Sequence, residues 1–388
     1  MADFKSVFGR DPEFYFTAPG RIEVSGNHTD HQHGCVMAAA INLETKAWVA
    51  LNDRFEINMV SEGHKGCKVD LNDLEFREEA KGTSGALVAG IAYQFAKMGA
   101  KLKGFDIYVD SEVFPGSGMS SSASFEVMIG NVFNHLFLDD KCTPVEIAQI
   151  GQWSENNYYG KPCGLMDQTA CSVGNFIGID FMDPKKPEVR KLDFDFSKSG
   201  HSVCVIDTGA DHVGLDDEYA AITQELKKVC GVFGKEYLRD VDENEFYEHI
   251  ADVRKAAGDR GVLRAIHVFN ENKRVAIQSD ALSRGDFDTF LRYASESGKS
   301  SWRLLQNVII NGHTEHQEVA LALQLAWQFL DGRGAVRVNG GGFAGTILAF
   351  VPNDMLDSFK KKMESALGEG SCLVLQINPE GGVCLNIS

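Results

Sequence analysis

The chain has 388 residues, 44% of them hydrophobic, and a formal net charge of −17. That length and apolar content suit two domains with sizeable cores and exclude a disordered chain. The acidic balance disfavours a surface that binds phosphodiester backbones, so nucleic acid is not an expected partner. Nine cysteines without a Cys-x-x-Cys pair read as scattered reduced thiols of a cytoplasmic protein rather than a disulfide or zinc framework. No apolar window reaches membrane-spanning length, and the N-terminus lacks a basic region followed by an apolar run, so neither a membrane span nor a signal peptide is expected.

Residues 14–60 read as strand-rich. Arg21-Ile22-Glu23-Val24 alternates polar and apolar and runs into a polar, glycine-punctuated loop, Ser25-Gly26-Asn27-His28-Thr29-Asp30-His31-Gln32-His33-Gly34. The apolar run 35–41 predicts a buried segment, and 46–51 and 55–60 predict further strands. A helix is expected over about 84–98. Residues 104–110 alternate like a half-buried strand and lead into Phe114-Pro115-Gly116-Ser117-Gly118-Met119-Ser120-Ser121-Ser122-Ala123-Ser124, after which the pattern turns helical. Thr143, Pro144 and Glu146 form a helix start with a capping box; this helix should carry Glu155, run to about Tyr159 and stop at Gly160. A short turn then leads to Gly164-Leu165-Met166-Asp167-Gln168, the opening of another helix.

Residues 203–207 predict a strand, and 216–305 a largely helical stretch with breaks near Gly234, Gly258 and Gly285. A further helix covers about 315–330. The end, 335–386, reads strand, glycine loop, strand, helix, strand, strand. That α+β pattern differs from the first half and puts a boundary near residue 200, giving domains 1–200 and 201–388.

Four stretches carry candidate chemistry. The loop before Ser121 ends at a helix N-terminus, where backbone N–H groups and the dipole favour an anion. Gly116 and Gly118 lack a Cβ and admit a phosphate close to the main chain; Ser120, Ser121 and Ser122 add donors and a metal ligand. No Walker pattern is present, and the alternative is a surface loop capped by serine. The Arg21 to Asp30 stretch concentrates Arg, Asn, His, Thr and Asp, which suits a polyhydroxylated ligand. His28, His31 and His33 without cysteines are a weak metal signal, and surface exposure accounts for His31 and His33. Asp167 reads as a helix cap or a base. Val336-Arg337-Val338-Asn339-Gly340-Gly341-Gly342-Phe343-Ala344-Gly345 reads as a tight turn or as a place of close backbone approach. Tyr219, on a helix, reads as core, interface or site.

Taken in order, these motifs resemble those of the GHMP sugar kinases, and specifically the galactokinases. The signature Gly-Arg-x-Asn-Leu-x-Gly-Glu-His-Thr-Asp is similar to Gly20-Arg21-Ile22-Glu23-Val24-Ser25-Gly26-Asn27-His28-Thr29-Asp30. The phosphate loop Pro-x-Gly-x-Gly-Leu-Ser-Ser-Ser-Ala is similar to 115–123, with Met119 for Leu. The third motif, Thr-Gly-Gly-Gly-Phe-Gly-Gly, is similar to 339–345, with Asn339 and Ala344 as changes. The resemblance implies an α+β, two-domain GHMP kinase fold, with an N-terminal α/β domain like ribosomal protein S5 and a ferredoxin-like C-terminal domain. It implies ATP as co-substrate, Mg2+, and phosphorylation of the anomeric hydroxyl of galactose.

By the same resemblance Asp167 is the base, and Arg21 stabilises the transferring phosphoryl group and holds Asp167 ionised. Gly116, Ser117, Gly118, Met119, Ser120, Ser121 and Ser122 hold the nucleotide phosphates, and Ser122 and Glu155 the metal. Asn27, His28, Thr29, Asp30 and Tyr219 hold the sugar. Asn27 stands where galactokinases have glutamate, so galacturonate or N-acetylgalactosamine are alternative substrates. A sugar- and ATP-sensing regulator without catalysis is the reading from another class. The expected partners are a sugar and ATP, bound by a monomer.

Overall fold

The computed structural model describes residues 3–114, 116, 118–211 and 213–385. Its strands in chain order are β1 (Phe14–Ser25), β2 (Cys35–Leu51), β3 (Glu56–Ser61), β4 (His64–Asp70), β5 (Phe105–Ser111), β6 (Phe176–Asp180), β7 (Glu188–Leu192), β8 (His201–Ala210), β9 (Ala335–Asn339), β10 (Gly345–Pro352), β11 (Cys372–Leu375) and β12 (Val383–Leu385). The helices are α1 (Phe4–Phe8), α2 (Ser84–Lys97), α3 (Ser121–Leu138), α4 (Pro144–Ser154), α5 (Met166–Val173), α6 (Asp216–Val232), α7 (Glu243–Glu248), α8 (Ile250–Ser283), α9 (Phe287–Ser300), α10 (Glu318–Leu330) and α11 (Leu356–Leu367).

Two compact units emerge. One consists of Met1–Arg21, Ala40–Asn175 and Asn378–Ser388; the other of Ile22–Ala39 and Phe176–Ile377. This differs from a single cut near residue 200. The divisions at 21/22 and 39/40 fall inside the long strands β1 and β2, where composition does not change and no linker marks them.

In the first unit the strands follow the order β12-β1-β2-β5-β3-β4. β2 runs antiparallel to β5, with Ala47 opposite Val109, while β5 and β3 are parallel, with Ile107 opposite Met59. The C-terminal β12 returns to this unit by pairing Leu385 with Tyr15. Helices α2 to α5 supply the other side of the core, where Phe95, Phe105 and Phe133 are fully buried and their rings meet at 5.6 Å. The start of α4 follows from local chemistry. Thr143 Oγ1 accepts from the Glu146 N–H, Glu146 Oε2 accepts from the Thr143 N–H, and Pro144 needs no partner there. After Ser154 the helix widens into one π-turn, Glu155–Tyr159, that ends at Gly160 and buries both Glu155 and Tyr158.

In the second unit, residues 35–39 of β2 pair with β6, and β6 with β7. A separate antiparallel sheet has the order β11-β8-β10-β9. Its first strand lies between its last and its third, the ferredoxin-like arrangement, with α10 and α11 packed against it around Phe359 and Met363. A second core gathers α6, α7 and α8 around Leu226, Phe246 and Val268. Within α8 the chain breaks at Gly258, as expected from sequence. All nine cysteines are free thiols. No helix among the described residues is long and apolar enough to cross a membrane.

Candidate active site

Arg21, the last residue of its segment in the first unit, reaches Asp167 at the second position of α5. Arg21 Nε donates to Asp167 Oδ1 at 2.7 Å and Nη2 to Oδ2 at 2.6 Å, the parallel fork that the guanidinium geometry favours. Nη1 donates to the Gly118 carbonyl, and the Arg21 N–H donates to the Met119 carbonyl at 3.0 Å. Gly118 has φ of 71°, a conformation that turns the loop back onto Arg21 and that a side chain would strain. Ser120 precedes α3 with φ of 59° and does not cap it; its hydroxyl instead donates to Asp167 Oδ2 at 2.7 Å. The first turn of α3 is thereby left without a side-chain cap, facing the glycine–serine loop.

Burial alone would raise the Asp167 carboxyl. The Arg21 charge, its fork of hydrogen bonds and the Ser120 hydroxyl outweigh that, and the net direction is downward. Asp167 is therefore an ionised carboxylate at neutral pH, with about 30% of its side chain still open to solvent. It is not a helix cap; its oxygens are turned to Arg21 and Ser120.

Behind it lies a second acidic group. Glu155, 2% exposed, accepts from Gln168 Nε2 at 3.0 Å, and the same Nε2 donates to Glu126 at 2.9 Å. Lys161 Nζ stands 3.7 Å from the other Glu155 oxygen. Glu126 sits one helical turn after Ser122 on α3, so both lie on one face. Burial and the adjacent Glu155 carboxylate push Glu126 well above the usual carboxyl range. Glu126 Oε1 and Gln168 Oε1 are buried without a hydrogen-bond partner. Hard oxygen donors with unmet capacity suit magnesium, which takes few protein ligands and fills the remainder with water and phosphate. Among the described residues no group of three or more His, Cys, Asp or Glu could hold a metal by itself. The donor set thus fits a phosphate-bound magnesium and not an all-protein cage.

The first unit also contains a groove of about 650 Å³ lined by Lys68, Phe76, Arg77, Thr83, Ala89 and Tyr158. Tyr158 belongs to the π-turn that carries Glu155.

In the second unit the 26–30 loop is latched to the glycine loop. Asn27 is fully buried, and its amide is saturated: Nδ2 donates to Glu23 Oε1 and to the Gly340 carbonyl, both at 2.8 Å, while Oδ1 accepts from Asn307 at 2.7 Å and Ser301 at 3.1 Å. His28 Nε2 bonds the Gly341 carbonyl at 2.8 Å, and Tyr219, stacked near His28, donates to the Gly342 carbonyl at 2.7 Å. Gly342 has φ of 79°, and a Cβ there would stand 2.3 Å from the Asn307 carbonyl, so only glycine fits. Burial pushes His28 down to about 4, against the Gly341 bond, so the ring is neutral at pH 7, its Nε2 proton donates, and Nδ1 is the acceptor. Thr29 is buried with its hydroxyl 2.6 Å from the Cys35 carbonyl. Asp30 accepts from the His31 N–H and stays part-exposed.

The structure therefore gathers Arg21, Gly118, Met119, Ser120 and Asp167 in the first unit, with Glu155 buried nearby against Gln168. It gathers Asn27, His28 and Tyr219 in the second, around the glycine loop. Gly116, Ser121 and Ser122 lie on the loop and first turn of α3; Ser117 lies outside the described residues. Sequence reasoning missed Glu126, Gln168, Asn307 and Arg337. Glu126 had a signal, its four-residue spacing from Ser122; the others depend on contacts distant in sequence.

Residues 86–175 match the GHMP kinases N terminal domain, and residues 2–51 the galactokinase galactose-binding signature. A galactokinase of Streptomyces coelicolor is 28% identical over 374 residues, covering 94% of this chain and 91% of that one. A galactokinase of Clostridium tetani is 29% identical over 368 residues, covering 94% and 90%. The crystal structure of Lactococcus lactis galactokinase complexed with galactose superposes with a TM-score of 0.81 at 26% identity, covering 98% of this chain and 97% of that one. A mevalonate kinase structure, 13% identical with a TM-score of 0.66, shares the fold. The chain thus has the fold of the GHMP kinases and is similar over most of its length to galactokinases, with the GHMP kinases N terminal domain matched at 86–175 and the galactokinase galactose-binding signature at 2–51.

Proposed function

We propose that the chain transfers the γ-phosphoryl group of ATP to the anomeric hydroxyl of galactose, giving galactose 1-phosphate and ADP. The observation that carries this reading is the part-exposed, ionised Asp167 carboxylate held by Arg21 and Ser120 beside the glycine–serine loop. Phosphoryl transfer requires positioning and charge neutralisation more than covalent chemistry. Asp167 would accept the C1 hydroxyl proton. With its affinity for protons lowered by Arg21 it is a weak base, so alignment carries much of the rate. Arg21 would meet the charge that develops on the transferring group.

The loop at 116–122 and the first turn of α3 would cradle the phosphates. Ser122 and Glu155 would hold magnesium, which when bound neutralises phosphate charge. The aromatic and basic groove at Phe76, Tyr158 and Lys68 suits the nucleoside, with rings for the base and cations for the polar edge. In the second unit His28 Nδ1, Asp30 and Tyr219 would bind sugar hydroxyls. Free thiols throughout support a reduced, cytoplasmic setting, and two small-molecule substrates require no partner chain. A silent sensor is disfavoured because the carboxylate, guanidinium and serine are all present and engaged.

Coupled ADP release with and without galactose tests the proposal. Galactose should stimulate release, and Asp167→Ala should abolish it while calorimetric galactose binding persists. An Asp167→Ala protein that still turns over would overturn the assigned base; no stimulation by galactose would overturn the substrate.

A further inference from the structure

Three polar departures from the quoted galactokinase motifs, Glu23, Asn27 and Asn339, form one contiguous buried cluster. Asn27 Nδ2 donates to Glu23 Oε1 at 2.8 Å, and the Glu23 N–H donates to Asn339 Oδ1 at 3.0 Å. The fully buried Arg337 closes the group: Nη2 meets Glu23 Oε1 at 2.8 Å and Nη1 donates to the Glu23 carbonyl. In the signature the amide stands four residues before the carboxylate; in this chain the order is reversed. The carboxylate and the amide have changed places, and in this chain Arg337 offsets the charge of the buried Glu23.

This exchange dictates what position 27 can do. A carboxylate there could not donate to Gly340, and it would place a second negative charge beside Glu23 against a single Arg337. The amide that is present spends both protons and both acceptor sites inside the protein and has no surface left for a ligand. We infer that Asn27 is a positioning residue that fixes the glycine loop through Gly340, that its identity is bound to that of Glu23, and that the sugar is not read at position 27. Selectivity then falls to the part-exposed groups beside it, His28 and Asp30. The inference rests on the proposed sugar kinase activity for its kinetic test alone.

The test has two arms. In the first, Asn27→Asp is assayed with galactose, 2-deoxygalactose and 6-deoxygalactose. A positioning role predicts that kcat/KM falls at least tenfold and by the same factor, within threefold, for every sugar, because no hydroxyl is contacted. A loss that vanishes for one analogue, or a fall of less than twofold, would overturn the inference. In the second, Glu23→Asn, Asn27→Glu and the double exchange are compared by thermal unfolding. The double variant should melt above both single variants. Additive losses, or a double variant that does not fold, would overturn the coupling. This arm reads no activity, so a parent protein inactive on galactose would sink the proposed function while leaving the cluster decidable.

Discussion

Arg21 and Asp167, 146 residues apart in sequence, meet through two parallel hydrogen bonds of 2.7 and 2.6 Å. That fork does two things at once. It keeps the carboxylate ionised, and it points a fixed positive charge at the same spot. Replacing Arg21 by Ala should lower kcat by about 10³, the scale of removing an arginine that stabilises phosphoryl transfer. Arg21→Lys should recover little, because an ammonium cannot make the fork. Steady-state kinetics at saturating sugar and ATP would check both; a lysine variant within threefold of the parent would contradict the geometric role.

The direction of the Asp167 shift makes a prediction about pH. Its folded value lies below the ordinary 3.8, so the ionised form persists above that and is lost only as pH falls through the lowered value. The kcat profile should therefore show no carboxylate limb between pH 5 and 7.5. A limb near 6 that disappears in Asp167→Asn would show a raised carboxyl instead.

His28 makes the opposite kind of pH statement. It is a half-buried base held neutral, with a value of about 4 against 6.5 when unfolded. The unfolded chain binds its proton first, so stability is complete above about 6.5 and declines as pH falls toward 4. Urea unfolding at pH 7.5 and 5 should show this decline, and His28→Gln should reduce it. An equal pH dependence in the variant would remove His28 as the source.

Arg337 and Glu23 form an ion pair with almost no solvent contact. Removing one member strands the other, which costs about 3–5 kcal/mol. Arg337→Met should lose stability on that scale in urea unfolding; a change below about 1 kcal/mol would mean that Glu23 neutralises without it.

Glu155 supplies the metal prediction. Glu155→Ala should raise the magnesium needed for half-maximal rate at least tenfold and should weaken binding of manganese, followed by its electron spin resonance in the presence of ADP. Unchanged manganese binding would exclude Glu155 as a ligand.

Much of this architecture was legible where the chemistry is local. Thr143, Pro144 and Glu146 announce α4, Gly160 ends the turn after it, and Gly258 breaks α8 where expected. The strand–glycine loop–strand–helix–strand ending was readable because each piece is short and punctuated. The polar edge strands β4 and β7 were not, since a half-exposed edge strand carries little alternation, and neither was β6, a buried run of only five residues paired on both sides. In the site, Arg21 and Asp167 could be singled out by motif, but their fork could not. The inward turn of Asn27 onto Glu23, Ser301, Asn307 and Gly340 was not legible either, because a polar residue in a polar loop does not announce which partners it takes. Those partners come from as far as 313 residues away, and no local pattern encodes them.

The most direct test of the account is the position of the phosphate on the product. The parent protein, incubated with galactose, ATP and magnesium, should give a single sugar phosphate whose phosphorus–carbon coupling by NMR falls on C1, and Asp167→Ala should give none. Phosphate on any other carbon, or an unchanged product yield from Asp167→Ala, would contradict it.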